Sequence, residues 1–73
     1  MTVKAAFIKW NGRRNGQERR AELRAGQKGK GELIQVVNYW PHSSPSMDAA
    51  DRQFAAAAEA NGYTIVGSDR DEG

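Results

Sequence analysis

Apolar residues collect in a few separate stretches of this chain. Val3–Trp10 is apolar and rich in strand formers, which predicts a strand. Asn11-Gly12 closes it and Asn15-Gly16 follows, both pairs that favour positive φ. Glu32–Trp40 is the strongest strand signal. Its apolar residues fall on both pleat faces, which predicts a central strand covered on two sides. Pro41 ends it by removing a donor.

A change of period marks the second half. Met47, Ala50, Phe54, Ala57 and Ala58 recur at helical spacing, which predicts a helix over Pro45–Asn61 with one apolar face. Ser44 is the expected cap, Pro45 suits the first turn, and Asp48 with Arg52 forms a favourable i,i+4 pair. Asn61-Gly62 supplies the stop, and Tyr63–Gly67 reads as a short strand. Strand, helix and strand in succession suggest a βαβ crossover.

Residues 17–25 fit two patterns. Asn15 with Glu18 resembles a capping box, and the residues from Gln17 to Ala25 are good helix formers. On a helix, however, Glu18/Glu22 and Arg20/Arg24 are like-charged i,i+4 pairs that repel. On a strand the charges alternate along one face, with Ala21, Leu23 and Ala25 on the other. The helix is the favoured reading. The expected architecture is therefore an α+β fold. It has a small mixed sheet of three or four strands packed on one main helix, with residues 17–25 as a short helix or strand. Residues 1–67 form a single domain, and residues 68–73 a frayed acidic tail.

Composition sharpens this picture. The chain has 73 residues, and its 38% hydrophobic content includes eleven alanines, so the core is thin. Small scaffolds of this kind usually rely on a staple. No cysteine and a single histidine leave no disulfide and no histidine zinc site, so neither a metal nor a cofactor is expected. A partner is the remaining staple, and a homodimer is one form of it. There is no membrane-length apolar run and no convincing signal peptide, so a cytoplasmic setting and no membrane partner are expected.

Charge is unevenly placed. Residues 1–37 carry nine Lys/Arg against three Glu, a net of +6; residues 38–73 carry two Arg against six Asp/Glu, a net of −4. The basic segment holds Arg13, Arg14, Arg19, Arg20, Arg24, Lys28 and Lys30. Several cations in one region suit phosphate, because binding releases condensed counterions and arginine grips phosphate with two donors. Trp10 and Trp40, at strand ends, are candidates for stacking on bases. The plainer reading is a solvated face diluted by Glu18, Glu22 and Glu32.

Other motifs are weaker. Gly26-Gln27-Lys28-Gly29 has the spacing of a backbone-clamping nucleic-acid loop, but that loop joins two helices and here a strand follows. The Gly26–Gly31 tract reads as a mobile basic loop. His42 beside Ser43 and Ser44 invites a nucleophile-and-base reading, but adjacent side chains rarely face each other and no acidic orienter is evident. Tyr39, Trp40 and His42 better fit an interface hot spot. The acidic tail lacks the rigidity of a cation site. The expectation is a non-enzymatic binding module, an accessory protein that binds nucleic acid through the basic segment. The alternative is a protein-binding inhibitor or adaptor of the compact kind that phages and mobile elements encode. It would act on an acidic or nucleic-acid-binding surface of a host protein or complex.

Overall fold

The computed structural model describes residues 4–10, 18–41 and 43–70. Five elements follow in order: β1 (Lys4–Trp10), β2 (Arg19–Ala25), β3 (Leu33–Tyr39), α1 (Ser44–Ala60) and β4 (Tyr63–Ser68). The strands form one four-stranded mixed sheet in the order β3-β2-β1-β4. β2 runs antiparallel to β1 and to β3, while β1 and β4 are parallel. The α+β class of a small mixed sheet on one helix is as expected from the pattern.

Two expectations about the sheet are corrected. Residues 19–25 are a strand, not a helix. As a strand, Arg20, Glu22 and Arg24 share one face at i,i+2, where opposite charges meet, and the i,i+4 repulsion of the helix disappears. Ala21 and Leu23 then point the other way and are fully buried. The second correction concerns β3. Among the described residues it lies at an edge, beside β2, and the centre belongs to β2 and β1. An apolar run reports which faces are covered, not which strand edges are paired.

Strand β3 is parallel to β4, so the strand–helix–strand crossover stands, but β2 and β1 lie between its two strands. Helix α1 thus runs from one sheet edge to the other across a single face. Its cap is Ser43, one residue before the expected Ser44: the Ser43 Oγ accepts from the Ser46 N–H at 3.4 Å. Gly62, with φ of +78°, turns the chain out of the helix, a left-handed conformation that side chains rarely adopt.

The core fills the space between α1 and that face. Phe54 is fully buried, with Met47, Ala50 and Ala58 on the same helix stripe. From the sheet come Ala6, Ile8 and Trp10 of β1, Ala21 and Leu23 of β2, and Val37 and Tyr39 of β3. Trp10 stands edge-on to Tyr39 at 4.8 Å and to Phe54 at 6.0 Å between centroids.

Residues 68–70, read from the sequence as the start of a tail, are tied to the domain. Ser68 closes β4. The Asp69 Oδ1 accepts from the Trp10 N–H at 2.7 Å, and the Asp69 N–H donates to the Ile8 carbonyl at 3.2 Å. Arg70 reaches the helix, pairing with Asp51 at 2.6 Å and Asp48 at 3.4 Å, and its guanidinium lies over the Trp10 ring. Asp48 is therefore engaged by Arg70 rather than by Arg52. Residues 71–73 lie outside the described residues.

Candidate functional site

Strand pleating decides which charges share a surface. In β1, Ala6, Ile8 and Trp10 face the helix, so Ala5, Phe7 and Lys9 face the opposite side. In β2, Ala21 and Leu23 face the helix and Arg20, Glu22 and Arg24 the opposite side. Register brings these together, because Lys9 pairs with Glu22, Phe7 with Arg24 and Asn38 with Arg20. Among the described residues, no helix covers this open face.

Glu22 sits at its centre. The Arg24 Nε lies 2.7 Å from one carboxylate oxygen and the Arg20 Nε 3.2 Å from the other. The Arg24 hydrogen bond, reinforced by the charges of Arg24 and Arg20, holds the Glu22 carboxyl below the usual glutamate range although partial burial opposes it. The carboxylate thus stays ionised and orients two guanidinium groups. Arg20 remains well exposed at the surface, with 57% of its side chain accessible.

The loop between β2 and β3 folds onto the same face. The Gly26 N–H donates to the Ala5 carbonyl at 2.8 Å, the Gly31 N–H to the Ala25 carbonyl at 2.9 Å, and the Arg24 Nη1 to the Gly31 carbonyl at 3.1 Å. Gly29 is buried against Phe7 and the aliphatic stem of Lys9; a Cβ there would lie 3.1 Å from both. Its φ of +71° adds a second reason for glycine. The tract expected to be a mobile loop is thus fastened over the sheet, and it joins two strands. Lys28 and Lys30 flank Gly29 and are exposed.

The structure therefore divides the residues singled out in the sequence. Arg20, Arg24, Lys28 and Lys30 gather on or beside the open face. Arg19 faces the helix side, half-buried, and its Nε is buried with no hydrogen-bond partner among the described residues. Trp10 is only 7% exposed and belongs to the core, not to a patch edge. Trp40, by contrast, is 49% exposed just beyond the end of β3. Arg13, Arg14 and His42 lie outside the described residues. Lys9 and the organising role of Glu22 were missed. Their signal was present in the alternation of Ile8-Lys9-Trp10 and in Glu22 standing two positions from each arginine.

The helix layer carries the opposite sign. Asp48, Asp51 and Glu59 lie on α1, the first two engaged by Arg70. Tyr39 is buried beneath this layer, and burial, then the nearby Asp69 charge, pushes its hydroxyl pKa up. Among the described residues, no three His, Cys, Asp or Glu side chains cluster to hold a metal, and no helix is long and apolar enough to cross a membrane. No family model matches the chain, and no curated protein and no solved structure matches it.

Proposed function

We propose that the protein is a non-enzymatic binding module that takes nucleic acid on the open face of its sheet. The observation that carries this reading is the gathering of Lys9, Arg20, Arg24, Lys28 and Lys30 on or beside one uncovered face, with Glu22 as the acid between the arginines. The lysines and arginines of such a face displace the counterions condensed on phosphates, so affinity should fall as salt rises. The acidic side chains of α1 lie on the other side of the sheet and do not cancel this field locally.

Fluorescence anisotropy with labelled DNA and RNA over a salt series tests the reading. Charge reversal at Arg20, Lys28 and Lys30 should abolish binding at moderate salt, and reversal at Asp48 and Glu59 should not. The opposite ranking would move the site to the helix.

One observation favours a second reading, a protein-binding inhibitor or adaptor. Among the described residues strand β3 is an edge of the sheet with no charged residue from Leu33 to Tyr39, the kind of edge that accepts a strand from a partner or from a second copy. A charged residue placed at Gln35 separates the readings: it should leave nucleic-acid binding unchanged and abolish strand addition.

A further inference from the structure

Resting on that reading, we infer that the ligand is single-stranded nucleic acid and that Trp40 is the platform on which one of its bases stacks. The chain has two tryptophans, and the structure gives them different fates. Trp10 is packed between Tyr39 and Phe54, whereas Trp40 presents half of its surface to solvent.

The backbone under Trp40 is held on both sides. Its N–H donates to the Ser46 Oγ at 2.7 Å, and its carbonyl accepts from the Ser43 N–H at 3.3 Å. Pro41, buried, follows it and restricts the chain further. An exposed aromatic ring on an anchored backbone loses little freedom when a base settles on it, so stacking is gained at small entropic cost.

Chain position brings Trp40 to the Arg20 end of the basic face, at the opposite end of the strands from Lys28 and Lys30. Trp40 lies two residues beyond Asn38, the cross-strand partner of Arg20. Two strand residues span about 7 Å, close to the spacing of neighbouring nucleotides in an extended strand. Arg20 meets Glu22 through Nε, which leaves its Nη donors for a phosphate while a base reaches Trp40.

Shape argues against a duplex. Four strands place the outer strand axes about 14 Å apart, before side chains are added, and the major groove of B-form DNA is about 12 Å wide. The whole sheet is broader than the groove, and a duplex keeps its base faces stacked inside, out of reach of an exposed ring. A single strand exposes both its phosphates and its base faces to such a surface.

The test compares a labelled single-stranded oligothymidylate with a DNA hairpin duplex of equal length. Proteins are the wild type, Trp40→Ala, Trp40→Phe and the Arg20/Lys28/Lys30 charge reversal, each checked by circular dichroism. The wild type should prefer the single strand, and its tryptophan emission should be quenched on binding. Trp40→Ala should weaken single-strand binding about tenfold with little change for the hairpin, and Trp40→Phe should restore most of the loss. The charge reversal should weaken both. Equal affinity for the two ligands, or a Trp40→Ala variant that binds the single strand as the wild type does, overturns the inference while leaving nucleic-acid binding in place. Absence of binding to either ligand at low salt overturns the underlying reading, and the inference with it.

Discussion

On one face of the sheet, Ala6, Ile8, Ala21, Leu23 and Tyr39 are sealed beneath α1. On the other, one residue along the same strands, Lys9, Arg20, Glu22 and Arg24 have no helix above them among the described residues. Each strand contributes to both faces, so the contrast arises from parity alone. The covered face is small and apolar, and it holds the fold. The open face is charged and only partly roofed by a short loop, and the fold can spare it for a ligand. Substitutions on the covered face should therefore cost stability, and substitutions on the open face should cost binding.

The largest effect is expected at Phe54, the fully buried anchor of α1. Phe54→Ala should cost about 3–5 kcal/mol, much of what a domain this small possesses. Urea unfolding followed by circular dichroism reads it, and a midpoint close to the wild type would show that α1 does not seal the core.

A smaller loss is expected where the covered face ends. The Asp69 carboxylate accepts from the Trp10 backbone N–H, a partly buried bond that closes the rim of the core. Asp69→Ala should cost about 1–3 kcal/mol, because the amide beneath is left without its partner. Unaltered thermal unfolding would show that water replaces the carboxylate and that the Asp69 side chain contributes nothing.

Smaller again is the effect of Glu22 on the open face. Its carboxyl titrates below the usual range because Arg24 and Arg20 favour the ionised form. Its contribution to stability is thus complete above the unfolded-state value and is lost as pH falls through the lowered folded value. Glu22→Gln should be slightly less stable than the wild type at neutral pH, and the difference should vanish well below about pH 4. A difference independent of pH would mean that the two arginines do not hold the carboxylate in solution.

Much of this contrast was legible in the residues. The helix stripe of Met47, Ala50, Phe54 and Ala58, its stop at Gly62, and strands β1 and β4 follow from period and turn chemistry. Strand β2 was obscured because Arg, Glu, Leu and Ala are all strong helix formers; pairing with β1 and β3 overrode that local preference. The place of β3 at an edge was hidden because periodicity carries no information about strand order. For the site, the arginines were visible but their grouping was not. Whether Arg19 or Arg20 reaches the open face depends on one residue of register, and Arg19 turns toward the helix. The two tryptophans looked equivalent by composition, yet Trp10 shares the phase of Ala6 and Ile8, which already marks it as core.

The separation of roles between the two faces is tested most directly by measuring the Arg20→Glu/Lys28→Glu/Lys30→Glu variant for thermal stability and for single-strand affinity in the same buffer. These three side chains are exposed and seal no core residue, so the melting midpoint should stay within a few degrees of the wild type. Affinity should fall at least tenfold and lose most of its salt dependence. Affinity that survives the reversal, or a fold that collapses with it, would contradict the account.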